Sequence, residues 1–505
     1  MTMRRRRNLT VLATILGAAV TLSPAVSAAE TLFDAINLAY QTNPSLRAQR
    51  AQLRSTDEDY VQARAGYGPQ VTASGQYDYQ NARVQNISPK LGTNFQANGG
   101  TADITATQPL YTAGATRAQV KAAAADVLAA REALRQAEDQ LLQNVVTAYV
   151  DVRRDRESIQ ILKDEIVALT GEFNEIKAKG ALGVLTKTDV AQSEERLLSA
   201  QAQLNLAYGR LNASNAEYLN YVGQSPGELA PEPDLPGIPA LVDQAFEAAD
   251  HNNPQLLGAI DSERAAREKI NQAKAANGPT LALKLDANIS PYAPYLQDQY
   301  DKSVTASVVY SQPLFTSGVN SSKIRQALED DNHAMLQVET ARRGVVQLVA
   351  QAWDQMVSTR SALAIEQRQL TVEQVAVEGN RIEERVGQRS TIDLLNAEQE
   401  LANTRVDVVQ SRHDEYVARA VLLSAMGMLE LRFLNPDAAT YSPTAPLKHV
   451  EALAANPIEA VTGQIDRIGA PATPAPHLSP PDAGAARPAD MPALPQATPQ
   501  PAPQP

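Results

Sequence analysis

The spacing of apolar residues changes along the chain, and the same series of changes occurs twice. Each half opens with a short segment of helical spacing, such as ETLFDAINLAYQTNP, and then a second helix. Gly68-Pro69 and Gly278-Pro279 stop these second helices, because proline cannot continue a helix. Apolar and polar residues then alternate, which predicts strands. The alternation is clearest at Leu281, Leu283, Leu285, Ala287 and Ile289.

The alternating segments predict one strand pair in each half of the chain. We expect these pairs at about 70–110 and 280–315, with hairpin loops near residues 81–100 and 290–301. Each strand would hold about ten residues, which is the length of a strand that crosses an outer membrane.

A long helical hairpin is predicted after each strand pair, at about 115–222 and 319–428. From Ala115 to Lys179 the sequence has no proline and one glycine, and apolar residues recur in steps of three and four, as in a coiled-coil seam. The seam residues are Ile159, Leu162, Ile166, Leu169, Phe173 and Ile176. At 1.5 Å per residue, such a helix would be roughly 95 Å long.

Two heptapeptides mark the change from strands to long helices. QPLYTAG begins at residue 108 and QPLFTSG at residue 312, 204 positions later. Proline cannot donate to a strand ladder, and glycine permits the turn before a helix. We therefore interpret Pro109, Gly114, Pro313 and Gly318 as joints between a sheet and a helical rod. Further along, Gly183, Asp189 and Glu194 match Gly387, Asp393 and Glu398 at the same separation.

These repeats divide the chain into four parts. Residues 1–28 carry four arginines, an apolar run too short to span a membrane, and Val26-Ser27-Ala28, as in a cleaved signal peptide. Residues 29–230 and 231–435 are the two copies of the internal repeat. Residues 436–505 form a C-terminal extension, which is rich in proline and expected to be disordered from about residue 456.

Composition and charge exclude several classes of protein. The net charge of −12 and the lack of a basic cluster beyond the N-terminus argue against binding to nucleic acid. The chain has no cysteine and only five scattered histidines, so we expect no metal site. No phosphate loop or nucleophile elbow is present, and we expect neither a cofactor nor enzymatic activity.

The four predicted strands raise a problem of closure. In a bilayer every backbone polar group must be paired, and closed barrels start at about eight strands. One chain therefore cannot close a barrel, but several chains could combine their strands in contact with outer-membrane lipid. The alternative is a periplasmic coiled-coil protein, structural or adaptor, that has two small hairpins and no membrane barrel.

The joints, the duplicated halves and the stretches GVLTKTDVAQSEERL and GQRSTIDLLNAEQEL together resemble the TolC family of outer-membrane efflux and secretion proteins. The resemblance covers roughly residues 30–435 and implies a mainly α fold with a small β part. In that family three chains form a 12-stranded barrel, continued by a long α-helical coiled-coil barrel across the periplasm. The resemblance implies a homotrimer that works with a periplasmic membrane-fusion adaptor and an inner-membrane ABC or RND-type transporter. It does not decide whether the cargo is proteins or drugs.

The resemblance also implies a periplasmic entrance at the turns around Gly183 and Gly387. Asp393 would lie at the constriction, Arg389 at a latch beside it and Asp189 at the matching place in the first repeat. Two positions depart from the family pattern: Asn396 replaces a second acidic ring, and Glu384 stands where an aromatic latch residue can occur. The local alternative is that both aspartates cap helices, because each lies in a predicted first turn after TKT or RST.

Overall fold

The computed structural model describes residues 29–85, 92–293, 296–435, 438–453 and 457–475. The first half contains α1 (Leu32–Thr42), α2 (Pro44–Ala65), β1 (Gln70–Gln85), β2 (Gly92–Tyr111), α3 (Ala115–Ala181) and α4 (Lys187–Val222). The second half has the same order: α5 (Val242–Asn252), α6 (Pro254–Ala275), β3 (Thr280–Ala293), β4 (Leu296–Ser311), α7 (Val319–Arg385) and α8 (Thr391–Ala425). Three short helices follow: α9 (Leu431–Leu434), α10 (Thr444–Leu453) and α11 (Glu459–Ile465). The prediction of a mainly helical chain with a small β part is confirmed.

The four strands form one antiparallel sheet in the order β1-β2-β3-β4. The register places small and apolar residues opposite one another on one face, in rows such as Ala73, Ile104, Ala287 and Val304. The other face carries rows of polar residues such as Thr72, Thr105, Asp286 and Thr305. The sheet therefore has one apolar face and one polar face.

The strands are longer than the sequence predicted. They contain 16, 20, 14 and 16 residues. The expected loops at 81–100 and 290–301 were too wide, because β1 pairs with β2 as far as Gln85 and Gly92, and β3 pairs with β4 as far as Ala293 and Leu296. The alternation of apolar and polar residues marks only the part of each strand whose side chains meet an apolar medium. Backbone pairing between the strands continues beyond that part.

The long helices pack as a coiled coil of large residues against small ones. Helices α3 and α7 each contain 67 residues. On α4 the buried positions recur every seven residues at Ser193, Ala200, Ala207 and Ser214. Ile159 and Leu162 of α3 pack against Ala207, and Leu169 and Ile176 lie in one cluster with Ala200. Small residues facing a seam of large ones allow the two helices to approach closely. No helix in the described ranges has both the length and the apolarity to cross a membrane.

Paired asparagine residues tie the short helices to the ends of the hairpins. Asn43 Oδ1 caps α2 by accepting from the Ser45 and Leu46 amides, and its Nδ2 donates to the Tyr221 carbonyl at 3.0 Å. Asn253 caps α6 in the same way and donates to the Ala425 carbonyl at 2.9 Å. Each asparagine is buried, so it fixes a helix start and a tertiary contact at once.

The C-terminal extension corrects one expectation. Residues 457–475, here called the strap, are placed and include α11, so the prediction of disorder from about residue 456 is wrong for this segment. The strap begins with an ion pair in which Arg64 donates to both oxygens of Glu459, at 2.8 and 2.9 Å. Composition alone missed this segment, because its stabilising contacts lie hundreds of residues away. The predicted signal peptide and residues 476–505 lie outside the described residues.

Candidate entrance at the helical tips

The tips of the two hairpins have the same backbone geometry. Gly183 and Gly387 adopt positive φ angles of 77° and 76°, which favour glycine. The residue after each glycine donates back into the preceding helix, Val184 to the Lys179 carbonyl and Gln388 to the Glu383 carbonyl. This pairing satisfies carbonyls at a helix end and turns the chain sharply. It places Asp189 and Asp393 in the first turns of the returning helices.

Asp189 forms a capping box at the start of α4. Its Oδ2 accepts from the Thr186 amide and hydroxyl, both at 2.8 Å, while its own amide donates to the Thr186 hydroxyl at 3.2 Å. These hydrogen bonds from Thr186 lower the pKa of Asp189. The carboxylate therefore stays charged at neutral pH and caps the helix.

Asp393 forms the same box at the start of α8 and is exposed. Its Oδ2 accepts from the Ser390 hydroxyl at 2.6 Å and from the Ser390 amide at 3.3 Å. The hydrogen bonds from Ser390, and less strongly the charge of Arg389, lower the pKa of Asp393. Both aspartates thus cap helices, as the local alternative expected. The cap is compatible with a charge at a constriction, because the carboxylate remains ionised.

Arg389 pairs within its own turn. Its Nε donates to Glu383 Oε2 at 2.8 Å, and both side chains are nearly half-exposed. The predicted latch residue thus has a partner in the same chain, and an exposed pair of this kind contributes little to stability.

Glu384 and Asn396 connect the second hairpin to the first. Glu384 Oε1 lies 3.8 Å from Lys179 Nζ, and Asn396 Oδ1 accepts from Arg196 Nη2 at 3.0 Å. Arg196 also donates to Gln399. We call these three contacts the inter-hairpin bridges. Lys179 and Arg196 could not be recognised from the sequence, because each lies on a charged helix face that resembles any solvated face.

A group of charged residues lies deeper between the hairpins. Glu172 of α3 is within hydrogen-bonding reach of Glu398 of α8, which also accepts from Arg381 Nη2 at 2.7 Å. One oxygen of each glutamate is buried and has no donor within the described part of the chain. Burial, followed by the interaction with Glu398, raises the pKa of Glu172. One proton shared between the two carboxyl groups would satisfy both oxygens.

An apolar cluster joins the two hairpins at the same level. Leu169, Ile176, Ala200 and Leu395 are buried together. The end of the molecule beyond this cluster is less protected: Leu182, Val184 and Val386 at the tips are 80%, 71% and 65% exposed.

The predicted joints lie at the opposite end of the long helices. Gly114 and Gly318 precede α3 and α7 with φ angles of 87° and 83°. Pro313 follows the end of β4, but Pro109 does not end β2, which continues to Tyr111 through a shift in register. In the parts of the chain that the structure describes, no group of three or more His, Cys, Asp or Glu side chains could hold a metal ion.

Comparison with known proteins gives consistent matches over most of the chain. The model of the outer membrane efflux protein family matches twice, over residues 35–224 and 245–428. The chain is 30% identical to the outer membrane efflux protein BepC of Brucella suis biovar 1 (strain 1330), over 87% of this chain and 95% of that protein. It is 24% identical to the outer membrane protein TolC of Escherichia coli (strain K12), over 82% of this chain and 86% of TolC.

A solved structure agrees with the architecture. The outer membrane protein VceC from Vibrio cholerae superposes with a TM-score of 0.68 at 18% identity, over 78% of this chain and 96% of that chain. At this identity the likeness concerns the fold alone.

Proposed function

Because the chain belongs to the outer membrane efflux protein family, we propose that it acts as a homotrimeric exit duct that docks with a periplasmic membrane-fusion adaptor and an inner-membrane ABC or RND-type transporter. The chain is an outer-membrane channel of the efflux and secretion type, and its helical part lies in the periplasm. The family consists of channel and transport proteins. A periplasmic adaptor without a membrane barrel does not fit this membership.

The sheet supplies the observation that supports a trimer. It has an apolar face for lipid and a polar face for a water-filled lumen. Within the described chain, β1 and β4 each pair on one side only. A sheet edge cannot stay unpaired in a bilayer, so β4 of one chain would pair with β1 of the next, and three chains would give twelve strands.

The natural absence of cysteine permits a direct test of this edge pairing. Three intervening strand spacings put β1 and β4 of one chain about 14 Å apart, too far for a disulfide. We therefore pair Thr72→Cys in β1 with Ser303→Cys, Thr305→Cys or Ser307→Cys in β4, all on the polar face. At least one pair should give crosslinked dimers and trimers under oxidation.

The matched control uses two residues that face each other inside one chain. Thr72 lies opposite Thr105, so Thr72→Cys with Thr105→Cys should crosslink within the chain and leave its size unchanged. Absence of interchain crosslinks from all three edge pairs, with a working control, would contradict the trimeric barrel.

The tips support the proposed docking and gating. Exposed apolar side chains at Leu182, Val184 and Val386 suit an adaptor that covers them. We place the gate at the same end: three copies of Asp393 would form a charged ring with Asp189 nearby, and Glu384 and Asn396 would hold the hairpins together through the inter-hairpin bridges. Arg389, which pairs with Glu383 of its own turn, would lie beside this ring.

The cargo can be identified by deletion and complementation. A strain that lacks the gene is scored for secreted proteins and for sensitivity to a panel of drugs, each with the wild-type gene restored as control. If the deletion abolishes the secretion of proteins, the cargo is protein. If it increases drug sensitivity, the cargo is small toxic compounds. If neither phenotype changes while the protein is present in the wild-type outer membrane, the transport function is contradicted.

A further inference from the structure

The strap builds a cavity on the outside of the first joint. The open cavity measures about 430 Å³ and lies between the end of α2, the start of α3 and α11. It is lined by Arg64, Tyr67, Arg117, Glu459, Gln464 and Arg467, among others. The sequence repeat does not duplicate this site, because Ser321 occupies the position that corresponds to Arg117 at the second joint.

Two of the three arginines are available to a ligand. Glu459 is already engaged by Arg64 in a bidentate pair. Neither Arg117 nor Arg467 pairs with a carboxylate anywhere in the described residues, and Arg467 donates only to Gln464, at 3.3 Å. Asp466, the next carboxylate along the strap, accepts from Thr112 and Gly114 instead. The cavity thus presents two guanidinium groups that form no ion pair within the described part of the chain.

The cavity lies at the membrane-proximal end of the rod. Tyr111 is opposite Leu281 in the ladder, on the apolar face of the sheet, and its hydroxyl donates to the Ile468 carbonyl of the strap at 2.8 Å. The strap is therefore attached to the side of the sheet that would face lipid. Its side chains Val461 and Ile468 are 62% and 69% exposed. Exposed apolar residues beside arginine are the pattern of a segment at the boundary between headgroups and acyl chains.

We propose that this cavity binds the phosphodiester headgroup of an anionic phospholipid in the inner leaflet of the outer membrane. Arginine suits this ligand, because its planar fork donates two hydrogen bonds to one phosphate group. Basic pockets at the membrane surface recognise anionic lipids by the same chemistry. Burial raises the pKa of Tyr67 to about 12, so its phenol stays protonated beside the two arginines. The inference rests on the membrane placement of the sheet proposed above.

The test measures lipid retention by the purified full-length trimer. Phosphatidylglycerol or phosphatidylcholine is added to protein in detergent, and bound lipids are counted by native mass spectrometry. We expect selective retention of up to three phosphatidylglycerol molecules per trimer. Each arginine near a membrane surface contributes about 1 kcal/mol, so Arg117→Gln with Arg467→Gln should weaken binding about 30-fold and Arg467→Gln alone about fivefold.

The control removes the same charge elsewhere. Lys323→Gln with Arg343→Gln, both exposed on α7, should retain phosphatidylglycerol like the wild type. Arg467 is exposed, so Arg467→Gln alone should assemble normally. Lipid retention can then be measured on this single variant if the double variant fails to assemble. Equal retention of the two lipids, or equal loss in the control, would overturn the proposal. Displacement of the lipid by an equal concentration of inorganic phosphate would show a free-anion site and also overturn it.

The result is separable from the proposed function. If the protein is present as a trimer in the outer membrane but shows no preference for phosphatidylglycerol, only the lipid site is rejected. If it is not in the outer membrane at all, the duct itself is rejected.

Discussion

The Asp466 carboxylate accepts a hydrogen bond from the Gly114 amide at 3.1 Å, although the two residues are 352 positions apart. The same carboxylate accepts from the amide and the hydroxyl of Thr112. Ala113 between them has a φ of 55°, a left-handed conformation that is unfavourable for a residue with a side chain. A single buried acid on the strap therefore satisfies the backbone of the strained joint where β2 gives way to α3.

Asp466→Ala should loosen this joint. It leaves two amides without an acceptor, and a buried unsatisfied donor costs about 1–3 kcal/mol. Hydrogen exchange should accelerate at Thr112 and Gly114, and the strap should become sensitive to protease. Asp466→Asn retains one acceptor oxygen and should have a smaller effect. Asp354→Ala, at an exposed site on α7, is the control. Unchanged exchange at Gly114 in Asp466→Ala would contradict the bracing role.

The ends of α4 and α8 offer a matched pair of glycines. Gly223 and Gly427 are 204 positions apart and both have positive φ, but their surroundings differ. A Cβ at Gly427 would lie 2.4 Å from the Asn252 carbonyl oxygen, whereas at Gly223 the nearest atom is Thr42 Oγ1 at 3.7 Å. Gly223→Ala should cost about 1–2 kcal/mol of backbone strain.

Gly427→Ala should cost about 1–3 kcal/mol more than Gly223→Ala, because the backbone of α5 must move. The measurement is the temperature at which the purified trimer dissociates, compared between the two variants. Equal shifts in the dissociation temperature would mean that the backbone of α5 moves at no cost and that the close approach of residue 427 to Asn252 does not add to the destabilisation.

The sequence predicted the elements that depend on local periodicity. Alternation placed the sheet, and the heptad seam from Ile159 to Ile176 placed the long helices, because both signals arise from which face of an element is buried. The strap was not predictable, since Asp466 acquires its role only from a distant backbone. The inter-hairpin bridges were not predictable for a related reason. In the sequence Lys179 and Arg196 resemble ordinary surface charges, and only the packing of the two hairpins gives them partners.

Asp393→Asn separates the cap from the gate. The amide oxygen can still accept from Ser390, so the helix should keep its start, while the ring of three charges disappears. Planar-bilayer recordings should show reduced cation selectivity with unchanged trimer stability, because a charged ring in a narrow pore concentrates cations. Asp354→Asn, also exposed but on α7, should leave selectivity unchanged. Lower stability with intact selectivity would leave Asp393 as a cap alone.

The facing glutamates between the hairpins should make the closed tips dependent on pH. The pKa of Glu172 is raised by burial and then by Glu398, above an ordinary value of 4.5. A raised carboxyl pKa means that the folded arrangement binds the proton more tightly than the unfolded one. Its contribution to stability is therefore fully present below the ordinary value and is lost as the pH rises through the raised pKa. Arg381 offsets part of the repulsion, because it pairs with Glu398.

Glu172→Gln tests this dependence, because an amide keeps a permanent donor toward Glu398. In the wild type, opening of the tips, measured as hydrogen exchange relative to the intrinsic amide rate at each pH, and conductance of the closed channel should both increase between about pH 5 and about pH 9. In Glu172→Gln both quantities should stay near their low-pH values across this range. Glu400→Gln, exposed and two residues beyond Glu398, should follow the wild type. If Glu172→Gln retains the full pH response, the shared proton does not hold the hairpins together.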